Sequence, residues 1–437
     1  MSSITPLNVI YLHSHDTGRY VEPYGYAVKT PRIQRLAEEG VLFRQAFSAA
    51  PTCSPSRAAL LTGETPHQAG MIGLAHRGFC LADPSRHLAH RLKDAGYRTV
   101  LAGMQHLTEG DQAQLGYTDD LRPTSLAVAD VAPIAASVIE AHAGDGAPLF
   151  LDVGFEETHR PFHGANSTDP RYVLPPDPLP NTSETRRDMA DYLGSARELD
   201  RGVGIVLDAI GRASLADSTL VICTTDHGLA FPGMKSNLTD HGIGVMLIMR
   251  GQQGFTGGRV VDALVSHLDL YPTLCEMLSF PCPTWVQGRS LLPLIHGEQS
   301  QIRDEIHAEV TFHAAYEPQR AVRTSRWLYI RRFGAHEFPV LANVNESPSR
   351  DLWLEHNWEH RHIDAEQLYD LILDPIQRCN LFGTPEVALV QSELQARLER
   401  WMRETDDPLL RGDVPLPRGA LMNDPKARSA DEPLIMG

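Results

Sequence analysis

The chain has 437 residues, 42% hydrophobic and 22% charged, the balance of a globular protein with enough core for one large domain and a smaller one. Its formal net charge of -16 argues against nucleic acid as the main partner, since a phosphate backbone needs a basic surface, although local cations and a metal can still hold a small anion. The six cysteines, at 53, 80, 223, 275, 282 and 379, form neither a disulfide framework nor a zinc ribbon.

The opening Met-Ser-Ser-Ile-Thr-Pro-Leu lacks the basic stretch and apolar core of a leader, and no apolar run reaches membrane-spanning length. A cytoplasmic protein with no membrane partner is expected, or a periplasmic one if a leader has been removed. Val9-Ile-Tyr-Leu is a predicted strand that runs into His13-Ser-His-Asp-Thr-Gly, and Pro31 to Glu39 is a predicted helix. Cys53-Ser-Pro-Ser-Arg-Ala-Ala-Leu-Leu-Thr-Gly follows. Pro55 suits the first helical position with Ser54 as cap, which places Cys53 at a helix N-terminus, where free N–H groups and the macrodipole favour an anion. Arg57, four residues on, returns to the same face.

Further along, helices are expected around His87 to Ala95, from Val128 to His142 and from Arg186 to Ile210. Strands are expected at Thr99-Val-Leu-Ala, Leu149-Phe-Leu-Asp-Val and Thr219-Leu-Val-Ile-Cys. Asp169 to Pro180, rich in proline and aspartate, reads as a surface excursion. Short apolar runs alternating with helices predict an α/β fold, a mainly parallel sheet sandwiched by helices, with reactive groups beyond the carboxyl ends of its strands. The first strand leads into His15 and Asp16 and the last into Asp226 and His227, so the two ends can converge on one divalent ion. After Gly297 the pattern turns to alternation in Glu309-Val-Thr-Phe, Arg320-Ala-Val-Arg and Trp327-Leu-Tyr-Ile, then a helix near Pro385 to Thr405 and a proline-rich tail. A catalytic domain over 1–300 and a C-terminal α+β subdomain with an antiparallel sheet over 301–437 are expected.

The string from Cys53 to Gly63 resembles the signature of the type I sulfatases of the alkaline phosphatase superfamily, whose fold is the one just described. Ser266-His-Leu-Asp-Leu-Tyr-Pro-Thr-Leu, Gly288-Arg-Ser-Leu-Leu-Pro-Leu and Glu366-Gln-Leu-Tyr-Asp-Leu extend the resemblance from about residue 8 to about residue 410. Pro51-Thr before the motif, Arg320-Ala-Val-Arg-Thr and Trp401-Met-Arg-Glu-Thr-Asp-Asp-Pro are most similar to the heparan N-sulfatases, or sulfamidases.

The resemblance implies that a maturation enzyme converts Cys53 to formylglycine, whose hydrated aldehyde is the nucleophile steadied by Arg57. It implies one divalent metal, calcium by family with manganese, zinc or magnesium as alternatives, held by His15, Asp16, Cys53, Asp226 and His227. His15 stands where the family has an aspartate, so it either tilts the metal preference toward softer ions or lies off the ion. Gly103-Met-Gln-His resembles the family's Gly-Lys-x-His and makes His106 the base that expels sulfate. Glu157-Thr-His-Arg-Pro places His159, and Pro-Gly-Met-Lys places Lys235, as proton donors to the leaving group. Met104 replaces the family lysine that binds a sulfate oxygen; His13, Arg19, Arg77 and His241 are basic residues available to replace that contact. The expected activity is hydrolysis of a sulfate ester or sulfamate on a small anionic substrate such as a sulfated sugar. Two alternatives stay open: a phosphodiester or phosphonate monoester hydrolase of the same superfamily, and a binding homologue without catalysis.

Overall fold

In the computed structural model, which describes residues 7–143 and 146–437, the expected apolar runs become the centre of a sheet. The leader-like features sought in Met1 to Pro6 lie outside the described residues. Strands β1 (Asn8–Ser14), β2 (Val41–Phe47), β3 (Arg98–Gly103), β4 (Asp119–Asp120), β5 (Leu149–Gly154), β6 (Thr219–Thr225), β7 (Leu247–Arg250) and β8 (Arg259–Ser266) form one sheet. Their order is β4-β3-β5-β1-β6-β7-β2-β8. All pairings are parallel except those of β7, which runs antiparallel to both β6 and β2.

Both faces of the sheet are covered, which is why β1, β5 and β6 are buried along their whole length. One face packs Ile10, Leu12 and Val221 against the helices Pro31–Glu39, Val128–His142 and Ser183–Arg212. The other packs Val9, Tyr11 and Ile222 against the helices Cys53–Thr62, Leu88–Asp94 and Leu270–Met277. Ser183–Arg212 begins three residues before the expected Arg186 because Thr182 and Thr185 form a capping box.

A second, antiparallel sheet follows, in the order β12-β11-β10-β9, from β9 (Glu305–Phe312), β10 (Tyr316–Thr324), β11 (Trp327–Arg332) and β12 (Glu366–Asp370). Its alternation separates two faces. Val322, Tyr329 and Leu368 meet Leu394, Leu398 and Met402 of the helix Ala388–Glu404, while Ala308, Ala321 and Ile330 meet Phe47 of β2 and Leu264 of β8. All six cysteines are free thiols, and no helix among the described residues is long and apolar enough to cross a membrane.

The parallel strands set the site. β1, β3, β5 and β6 finish at the same edge of the sheet, and each is followed within a few residues by a polar group named above: His15 and Asp16, His106, His159, and Asp226 and His227.

Candidate active site and metal centre

Cys53 is the first residue of its helix, and Thr52, in extended conformation, precedes it as cap. The expected cap Ser54 lies inside the first turn instead, its hydroxyl accepting from the Ala75 N–H at 3.1 Å. Pro55 remains in that turn, where a missing N–H leaves no helical bond unmade. Gly63 ends the helix at a φ of 73°, which a side chain would strain.

The Cys53 Sγ lies 2.9 Å from His15 Nε2 and 3.3 Å from His227 Nε2, and the side chain is buried. Burial pushes its thiol up to about 12, against the pull of Lys235 and Arg57. His15, Asp16, Cys53, Asp226 and His227 each offer a ligand atom, and all these atoms lie within 4.8 Å of one another. The Asp16 Oδ1 is buried without a hydrogen-bond donor, 3.2 Å from His227 Nε2. His227 Nδ1 donates to the Gly228 carbonyl at 3.0 Å, so its Nε2 turns a lone pair toward Asp16 and Cys53. Burial holds the His15 and His227 rings below the ordinary histidine range, keeping them neutral as ligands must be. An orphaned carboxylate oxygen beside two inward lone pairs fits a divalent cation. His15 does not lie off the cluster, since its Nε2 is also 3.2 Å from Asp226 Oδ2.

Asp226 is tied at both oxygens. Its Oδ1 accepts the backbone N–H groups of Asp16 and His227, each at 2.9 Å, and its Oδ2 accepts from Arg57 Nη2 at 3.0 Å. Burial alone would raise its pKa; the Arg57 guanidinium and the backbone N–H of Asp16 outweigh that and hold the carboxyl well below the usual carboxylate range. Arg57 also donates through Nη2 to the Ser14 carbonyl at 3.0 Å and through Nη1 to His13 Nδ1. His13 Nε2 in turn donates to Asp152 Oδ1 at 2.7 Å, and Tyr117 donates its hydroxyl to Asp152 Oδ2.

The remaining candidates ring the cluster. Lys235 Nζ donates to Asp16 Oδ2 at 2.9 Å; burial disfavours its charge, but Asp16 outweighs this and raises its pKa. The His159 ring stacks on His15 with centroids 4.4 Å apart, its Nδ1 donates to the Arg160 carbonyl, and its Nε2 lies 3.8 Å from Asp16 Oδ2. The His106 ring meets His15 edge-on at 5.6 Å. The catalytic and metal-ligand candidates are therefore gathered at one sheet edge.

The proposed substitutes for Met104 do not line up this way. His13 is buried beneath Arg57. Arg19 donates to the Ala46 carbonyl at 2.8 Å, Arg77 donates to Ala314 and Asn423, and His241 accepts from the Tyr20 hydroxyl at 2.9 Å. His76 is found instead, its Nδ1 3.2 Å from His106 Nε2 and the two rings stacked. His76, Asp152 and the role of His13 escaped the sequence reading. Only Asp152 left a signal there, as a lone carboxylate in the otherwise apolar run Leu149-Phe-Leu-Asp-Val.

Comparison with known proteins bears on the family. The family model described as Sulfatase matches residues 7–279, and one described as N-sulphoglucosamine sulphohydrolase, C-terminal, matches residues 234–362. Human N-sulphoglucosamine sulphohydrolase is 30% identical, over 92% of this chain and 91% of its own. The solved structure of BT4656 in complex with its substrate D-glucosamine-2-N,6-O-disulfate superposes with a TM-score of 0.71 at 17% identity, covering 92% of this chain and 98% of that one. Phosphonate monoester hydrolase of Agrobacterium radiobacter superposes at 0.72 with 21% identity, covering 95% and 99%.

Proposed function

Because the chain belongs to the sulfatase family and is a hydrolase of sulfate esters or sulfamates, we propose that Cys53, Arg57, His106, His159 and Lys235 carry its reaction beside a divalent ion held by His15, Asp16, Asp226 and His227, with Cys53 as a further ligand. When bound, that ion would stabilise negative charge on a sulfate oxygen and on the nucleophile. Matured to formylglycine by a partner enzyme, Cys53 would present a hydrated aldehyde oxygen to sulfur. The observation that carries this reading is the convergence of five ligand atoms, Cys53 among them, at the start of a helix.

Each surrounding group has a task its geometry suits. Arg57, fixed by Asp226, Ser14 and His13, keeps a cation beside Cys53 that cannot lose its proton. Lys235 and His159 both point at Asp16 Oδ2 and so flank one side of the cluster, from which they would deliver a proton to the departing oxygen or nitrogen. His106 stands on another side, and burial keeps it neutral near pH 7, ready to accept the proton whose removal expels sulfate. His76, 3.2 Å from His106, would share that proton or touch the oxyanion that the missing lysine no longer holds. By its resemblance to the sulfamidases, the substrate would be a sulfated sugar carrying an N-sulfate. We place calcium first among the metals, with the imidazoles of His15 and His227 admitting zinc or manganese.

Turnover of metal-loaded, matured enzyme on D-glucosamine N-sulfate, an aryl sulfate and an aryl phosphodiester, measured side by side, tests this assignment. The sulfated pair should exceed the phosphodiester in kcat/KM. Preference for the phosphodiester would support the neighbouring hydrolase reading, which Met104 motivates.

A further inference from the structure

Between the end of β3 at Gly103 and the core residue Leu107, the chain passes through His106 in a left-handed backbone, at a φ of 62°. A side chain crowds the backbone in that conformation, so a histidine keeps it only where its neighbours impose it. The neighbour here is Gln105. Its amide is buried and bridges across His106 to the two residues beyond: Oε1 accepts the N–H groups of Leu107 and, at 3.2 Å, of Thr108, and Nε2 donates to the Thr108 carbonyl at 2.6 Å. The near side of the turn is fixed as well, since the Met104 N–H donates to the Gly154 carbonyl at the end of β5, 2.9 Å away. A primary amide offers an acceptor for two N–H groups and a donor for a carbonyl at once, which neither a carboxylate nor a thioether of the same length can do.

The His106 ring depends on this turn. Its Nε2 lies 3.2 Å from His76 Nδ1, but its buried Nδ1 has no hydrogen-bond partner among the described residues, so no second bond orients the ring. The backbone at residue 106 therefore decides where the ring stands. We propose that Gln105 is a positioning residue, which holds His106 in the left-handed turn and so keeps its ring beside His15 and His76 for the step in which sulfate leaves. The inference rests on the assignment of His106 as the base and deepens it. Attack at sulfur releases the leaving group before His106 acts, so a misplaced base slows only the second half of the reaction. kcat/KM, which counts the steps through departure of the leaving group, should then be spared, while kcat and KM fall together.

Steady-state and pre-steady-state kinetics of metal-loaded, matured enzyme on an aryl sulfate read this split. In Gln105→Met, kcat and KM should fall in parallel by about tenfold, with kcat/KM within about twofold of the wild type and a burst of phenol in the first turnover. Gln105→Glu, which keeps the acceptor and loses the donor to Thr108, should show the same pattern at about threefold. Added to His106→Ala, Gln105→Met should cost no more than about twofold further, because it acts through a ring already removed. In the crystal structure of the unmatured Gln105→Met chain, the His106 ring should lie beyond hydrogen-bond reach of His76. A ring unmoved in that structure, or a fall in kcat/KM as large as that in kcat, would overturn the proposal. A moved ring in a protein whose wild type turns over no sulfate ester would instead count against the sulfatase assignment alone.

Discussion

A buried guanidinium is only as well placed as its acceptors, and Arg57 has three, of which His13 is the least secure because an imidazole nitrogen accepts only in one tautomer. Asp152 fixes that tautomer by taking the proton of His13 Nε2, leaving Nδ1 as the acceptor that faces Arg57. In Asp152→Asn the amide can turn its own N–H toward His13; the ring then carries its proton on Nδ1, and two donors oppose each other. We predict that kcat/KM falls by about 10–100-fold while the melting temperature stays near that of the wild type. An unchanged rate would show that Arg57 needs no support from beneath. At this scale the sequence was informative where the family frame assigned a position, as for His106 and His159 among 20 histidines. It was silent on His76, which reaches His106 from a short turn that no local pattern marks.

The smaller sheet is held to the larger unit by charge as well as by apolar contact. Arg320 on β10 is fully buried, with Nε 2.5 Å from Asp407 Oδ2 and 3.2 Å from Glu309 Oε2, and His67 lies 2.6 Å from that same Glu309 oxygen. His67, Glu309 and Asp407 alone could hold a metal, but the guanidinium already occupies the space between the carboxylates. Removing it leaves the buried Asp407 without its cation and Glu309 with His67 alone, so Arg320→Leu should lose about 3–5 kcal/mol of stability, visible as a lower urea midpoint. A midpoint equal to that of the wild type would contradict this account. Strands β1, β3, β5 and β6 were legible because burial on both faces leaves continuous apolar runs. β2 was missed since Arg44 and Gln45 interrupt its run where it nears the sheet edge, and β7 because four residues carry no period. Thr52, not Ser54, stands at the N-cap position of the motif helix, without a side-chain capping bond, while the Ser54 hydroxyl serves Ala75, a long-range partner invisible in the local sequence.

Across the whole molecule, burial of histidine sets the response to acid. Burial lowers His87 to about 4 and His267 and His307 to about 3, and none of the three belongs to the metal cluster. Each is neutral in the fold, while the unfolded chain protonates near pH 6.5; the unfolded state therefore binds more protons below that value. The stability these groups contribute is complete above about pH 6.5 and is lost as pH falls toward 4 and then 3. One such shift, roughly 3 kcal/mol, is a large part of a typical stability of about 5–15 kcal/mol. The urea midpoint should be level from pH 7 upward and drop steeply between pH 6 and 4; a midpoint level through pH 4 would refute it. The architecture itself was readable at this scale from alternation and from the shift in pattern after Gly297, because layer packing imposes both.

The central claim is that Cys53, gathered with four metal-ligand candidates and steadied by Arg57, becomes the nucleophile of a sulfatase. The intact mass of the peptide spanning Cys53, taken from enzyme with measured sulfate turnover, tests it most directly. The account predicts a mass about 18 Da below the thiol form, from loss of sulfur and two hydrogens and gain of an aldehyde oxygen. A fully unmodified thiol in turning-over enzyme would contradict it.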